Sequence, residues 1–250
     1  MEHYFLVQDA DALQRYHSFA AECKPAIEQF ARYLHENCAV QSLPRAIIWT
    51  DAKTATTRIS DIPVPAYTNE YRTIFCPDPD AWKAIYLAQL DDYKELPPVL
   101  EKPIRECYEA LTRQNVLQIL GHELVHHSEW FEDDFDDERK VGIWFEEGMA
   151  EYISRRYFLD EAAYRQLYAA NSALVSLYDT KFGLPDLEAF GAETYRGGYS
   201  GLFCAYWRSF LAVHTLVEQY SGSVSAVFDA YHAWLRSGRS QSLSAWFGLR

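Results

Sequence analysis

Apolar positions recur three and four apart through residues 115–126, Asn-Val-Leu-Gln-Ile-Leu-Gly-His-Glu-Leu-Val-His, and that spacing predicts a helix from about residue 104 that is buried along this run. The same test along the rest of the chain predicts more helix than strand. Residues 9–38 read as one or two helices, interrupted near Pro25, and Arg45–Thr50 reads as a strand. From Thr54 to Phe75 the chain is rich in Thr, Ile, Val and Tyr, which predicts two or three strands, Tyr71–Phe75 among them. Pro63 and Pro65 assign one of these to a sheet edge, because proline cannot donate to a central ladder. Asp80 is placed as the cap of a helix to about Asp92, broken at Leu96-Pro97-Pro98. Further helices are expected over 143–158, from Asp160 to about Tyr178, briefly after Asp186, and over 202–220 behind Gly197, Gly198 and Gly201, with two short helices closing the chain. Strands come early and helices late, so the fold class is α+β. One domain over 1–250 is expected, with a mixed lobe over about 1–130 and a helical lobe over about 140–250.

The buried run contains His122-Glu123-Leu124-Val125-His126, an H-E-x-x-H pattern. On a helix, residues four apart differ by about 40° around the axis and about 6 Å along it. His122 and His126 therefore point the same way and can grip one metal ion, while Glu123 sits at the edge of that site, where a base for a metal-activated water is needed. A core helix with two satisfied histidines would read the same way over these five residues.

A hydrolytic zinc site takes three protein ligands and keeps one position for water. The next helical segment, Trp144-Phe145-Glu146-Glu147-Gly148-Met149-Ala150-Glu151-Tyr152, begins close enough after His126 for a loop and a returning helix. Glu147 and Glu151 are four apart on one face, and Glu146 points about 100° away. Glu147 is assigned as the third ligand. Glu151 is assigned as the acid behind the site, able to accept from the second N–H of a ligating histidine. Gly148 is expected to let the two ligand helices approach closely. An acidic, solvated helix start is the alternative, since acids favour helix N-termini.

Together, H-E-L-V-H and W-F-E-E-G-M-A-E-Y resemble the gluzincin metallopeptidases, the thermolysin-like and aminopeptidase-like zincins, over about residues 115–155. The resemblance implies a zincin-like fold, Zn²⁺ held by His122, His126 and Glu147, Glu123 as general base, and an edge strand, expected from residues 63–75, that pairs with an extended substrate. It also implies a tyrosine near the start of a late helix that stabilises the oxyanion. Leu216-Val217-Glu218-Gln219-Tyr220-Ser221-Gly222 is similar to the end of that helix, and its register favours Tyr206, with Tyr199 the alternative. Arg196, Arg208 and His214 are weaker candidates. The G-x-M-E-N amine-binding motif of the aminopeptidase branch is absent, and residues 128–143 hold no tyrosine of the thermolysin kind.

Composition narrows the rest. The net charge is −13, which argues against nucleic acid and anionic membranes as partners and is compatible with a cationic substrate. No apolar run approaches the roughly 20 residues of a membrane helix, and the N-terminus does not read as a signal peptide. Five widely spaced cysteines without a C-x-x-C pattern read as free thiols, so a cytoplasmic location is expected. The acidic run at residues 132–138 could bind Ca²⁺ or attract basic residues to the cleft, but it lacks the glycine of an EF-hand loop and reads better as a solvated loop. Trp144, Phe145, Trp207 and Phe210 read as core packing or as pocket walls. The expected function is zinc-dependent hydrolysis of peptide bonds in a peptide or protein substrate. The alternatives are a catalytically silent zincin-fold binding module, a zinc hydrolase of a non-peptide amide, and a metal-free helical protein. The oligomeric state is not legible.

Overall fold

A computed structural model describes residues 1–93, 96–132 and 141–249. The fold is mixed α/β, rich in helix, with one four-stranded sheet. The described residues fall into two units. One gathers residues 1–87, 108–132 and 153–160; the other gathers 88–93, 96–107, 141–152 and 161–249.

In the first unit, β1 (Glu2–Leu6), β2 (Ala46–Thr50), β3 (Ala66–Thr68) and β4 (Arg72–Phe75) form a sheet of order β1-β2-β4-β3. β1 and β4 run parallel to β2, and β3 closes the edge antiparallel to β4, with Thr68 opposite Thr73. The expected strands at 45–50 and 71–75 are present, shortened by one residue each. The edge role falls to Ala66–Thr68, directly after Pro63 and Pro65. Residues 52–59 are helical instead, α2 (Ala52–Thr54) running into a π turn over Ala55–Ile59, because the Asp51 side chain caps the Thr54 N–H at 2.9 Å and starts a helix there.

Helix α1 (Ala10–Asn37) crosses from β1 to β2 without a break, although an interruption is expected near Pro25. Tyr16, Phe19, Ala20, Cys23, Ile27, Phe30 and Leu34 form one buried stripe, and packing of that face outweighs the local proline cost of about 3 kcal/mol. After β4, the Asp78 side chain accepts from the Asp80 N–H at 3.0 Å, so Asp78 rather than Asp80 opens α3 (Pro79–Ala88).

The helix expected from residue 104 through the histidines is two helices, α4 (Pro98–Glu109) and α5 (Arg113–Val125). The separation is made by a capping box. The Thr112 N–H donates to the Asn115 side chain at 2.9 Å, and the Thr112 hydroxyl accepts from the Asn115 N–H at 3.4 Å. α5 packs against α1, β3 and β4.

The second unit is helical. It holds α4, the first part of α6 (Ile143–Phe158), α7 (Glu161–Phe182), α8 (Tyr199–Gln219), α9 (Val224–Arg236) and α10 (Leu243–Trp246), with 3₁₀ turns at Leu187–Ala189 and Thr194–Arg196. Trp144, Phe145, Trp207 and Phe210 are almost fully buried and serve as packing residues.

Candidate metal centre

Every residue of α5 from Val116 to Val125 is buried. A helix buried on all sides must satisfy each polar side chain it carries. Gln118 does so by donating from Nε2 to Ser154 Oγ at 2.9 Å. One turn on, His122 is 5% exposed and Glu123 7%. His126 caps the helix with right-handed helical dihedrals, so the four-residue relationship to His122 is kept. The two imidazoles bring Nε2 to Nε2 at 3.1 Å, their planes 73° apart.

That separation is a test of metal fit. Two nitrogens about 2.05 Å from one tetrahedral zinc stand about 3.3 Å apart. The rings present matching atoms at close to this distance.

Glu147 arrives on α6. The C-terminal part of this helix docks on α5 at Ser154 and at Phe158, whose ring fills the space a Cβ on Gly121 would need. Glu147 lies two turns before Ser154 on the same helix, about 10 Å along the axis. One ligand atom each from His122, His126 and Glu147 lie within 4.8 Å of one another, with His122 and Glu147 buried and His126 half-buried. Two imidazoles and a carboxylate are a donor set that suits a divalent transition metal. Glu151, one turn after Glu147 on the same face, is 8% exposed. Glu123, Glu146, Glu147 and Glu151 are all buried, as is the Arg155 side chain.

Gly148 has a different role from the expected one. A Cβ there would meet the Ser209 carbonyl oxygen and, at 2.6 Å, Val213 Cγ2, both on α8. Gly148 therefore admits α8 against α6, and the glycine that lets α6 onto α5 is Gly121.

Tyr206, the register candidate, places its hydroxyl 2.9 Å from that of Tyr195, and Tyr195 donates to Glu147 Oε1 at 3.2 Å. Tyr195 was not among the expected site residues. It lies in a short 3₁₀ turn 48 residues from Glu147, and no local pattern marks it. Tyr199 opens α8 and stacks on Phe203, with burial raising the pKa of its hydroxyl. The three weaker candidates have other contacts: Arg196 pairs with Glu193, Arg208 donates to the Pro185 carbonyl, and His214 joins the Tyr164 hydroxyl at 2.8 Å and Glu218 at 3.3 Å.

His127, directly after the motif, ties α5 to the sheet edge. Its Nε2 lies 3.0 Å from Thr68 Oγ1, which in turn lies 2.9 Å from Thr73 Oγ1. Burial, and then the neighbouring His126, push its pKa down to about 4, so the ring is neutral near pH 7. Of the acidic run at 132–138, all but Glu132 lies outside the described residues. No family model, curated protein or solved structure matches this chain.

Proposed function

We propose that this protein is a zinc-dependent metallopeptidase of the gluzincin type, built on a zincin-like fold. The observation that carries the proposal is the convergence of the His122, His126 and Glu147 ligand atoms within 4.8 Å on two buried helices. The buried Glu123 beside them separates it from a plain metal clamp, which does not require that acid.

His122, His126 and Glu147 would hold the ion. Bound there, zinc would lower the pKa of a water at its open position to about 7 and polarise the substrate carbonyl. Glu123 takes the proton from the attacking water and delivers it to the leaving amine. Glu151 supports the ligand set from one turn further along α6. The edge strand β3 is antiparallel to its neighbour and anchored to α5 through Thr68 and His127, which fits it to align an extended peptide. No described helix is long and apolar enough to cross a membrane. Five free, buried cysteines fit a reducing compartment such as the cytoplasm.

The test is metal analysis and peptide hydrolysis on the purified chain and on Glu123→Gln. One zinc per chain is expected in both, with hydrolysis only in the parent. Full activity in Glu123→Gln would overturn the mechanism. Bound zinc with no hydrolysis of any peptide would favour the silent binding module, and turnover confined to non-peptide amides would favour the other hydrolase.

A further inference from the structure

We infer that Tyr195 is a positioning residue for the Glu147 carboxylate, and that Tyr206 supports Tyr195 from behind instead of reaching a substrate carbonyl. This inference rests on the metallopeptidase proposal, because it gives Glu147 its role as a ligand.

Proton counting carries the inference. Glu147 must be ionised to bind a cation, and an ionised carboxylate only accepts hydrogen bonds. In the 3.2 Å contact the proton therefore belongs to the Tyr195 hydroxyl. A phenol has one proton. In the 2.9 Å contact between the two tyrosines, Tyr206 must then be the donor. The chain has one direction, from Tyr206 through Tyr195 to Glu147, and each bond polarises the next.

The surroundings hold this arrangement. The two phenol rings are perpendicular, with centroids 6.3 Å apart. Phe190 lies against both, at 6.0 Å from Tyr195 and 5.1 Å from Tyr206, and Phe203 lies 6.4 Å from Tyr206. These rings border the two hydrogen bonds, which are part-buried. Tyr206 is carried by the 21-residue helix α8, whereas Tyr195 sits on a three-residue 3₁₀ turn between Gly191 and Gly197. The bond from Tyr206 thus ties that short turn to a long helix. Ligating carboxylates depend on such hydrogen bonds for orientation, and losing one commonly weakens metal affinity 10–100-fold.

The experiment compares Tyr195→Phe and Tyr206→Phe with the parent chain. Zinc affinity is read by competition with a chromophoric chelator, and kcat is read at saturating zinc. Tyr195→Phe is expected to weaken zinc binding about 10–100-fold, with most activity restored when zinc is saturating. Tyr206→Phe is expected to weaken it in the same direction by less. Unchanged zinc affinity in Tyr195→Phe overturns the inference. So does a Tyr206→Phe variant with parental zinc affinity and a kcat lower by about 10²–10³, the signature of a direct oxyanion donor. Should Tyr195→Phe fail to fold, Tyr206→Phe decides alone, and parental affinity there overturns the inference. A parent chain that binds no zinc removes both this inference and the proposed function. A parent that binds zinc, is weakened by Tyr195→Phe and cleaves no peptide supports the tyrosine's role while removing the peptidase proposal.

Discussion

Gln118 and Ser154 are both buried, and the Gln118 side-chain amide donates to the Ser154 hydroxyl at 2.9 Å, joining α5 to α6. The bond lies one turn before His122 on α5 and two turns after Glu147 on α6, so it helps set the position of each helix. Ser154→Ala removes it with little change in volume. A net loss of about 1 kcal/mol is expected. For a chain of this size that lowers Tm by about 2–4 °C in a calorimetric scan. Zinc affinity should fall as well, because the ligand helices lose a shared restraint. A variant with unchanged Tm and unchanged zinc affinity would show that apolar packing alone sets the α5–α6 contact.

Gly148 and Gly121 make different demands on their neighbours. At Gly148 an added Cβ meets the backbone carbonyl of Ser209, which can move only if α8 moves. At Gly121 it meets ring atoms, Phe158 Cε2 at 2.5 Å and Phe30 Cε1 at 3.1 Å, which can turn aside in part. Alanine is also favoured over glycine in a helix by about 1 kcal/mol, which offsets some of the strain. Gly148→Ala is expected to cost about 1–3 kcal/mol and Gly121→Ala clearly less, read from urea midpoints at constant slope. Equal losses would mean that α8 yields as easily as a phenyl ring.

Much of the site was legible because its signals are local. The histidines need only helical spacing, and α6 runs over Ile143–Phe158 as its pattern predicts. The parts that were not legible depend on distant partners. β1 exposes Tyr4 and Leu6 while half-burying His3 and Phe5, so apolar residues occur on both faces and the alternation of a strand is blurred. Pro25 signals a break that packing against the rest of the unit overrides. The role of Gly148 depends on α8, some sixty residues further on. Tyr195 is one of 18 tyrosines, and only its bond to Glu147 sets it apart.

Metal removal separates the roles proposed for the motif residues. A ligand that binds only the folded state stabilises it by RT ln(1 + [L]/Kd), about 2.7 kcal/mol at a free concentration 100 times Kd. Zinc added to chelator-treated protein at that excess should raise Tm by about 5–10 °C. The rise should survive in Glu123→Gln and vanish in His122→Ala. It should shrink in Glu147→Gln, which keeps shape but loses charge. A rise that persists in His122→Ala would place the metal elsewhere, and a larger rise with another divalent ion in the same titration would replace zinc as the proposed metal.

The cysteines predict a chemical silence that ends on unfolding. All five are free and buried. Burial pushes the Cys23 thiol up to about 11 and those of Cys38, Cys76 and Cys204 up to about 12. Because the thiolate is the reactive form, a raised pKa leaves almost none of it at pH 8, and the surrounding side chains exclude the reagent as well. Unfolding returns each thiol to about 8.5, where a sizeable fraction is ionised. An aromatic disulfide reagent at pH 8 should therefore titrate essentially no thiol in the native protein within minutes, and five in guanidinium chloride. Raising the pH to 9.5 increases the thiolate fraction of these groups about 30-fold but leaves it at roughly a few per cent or less, so the native protein should still react far more slowly than the unfolded chain. One fast thiol in the native state at pH 8 would show that its burial is not maintained in solution.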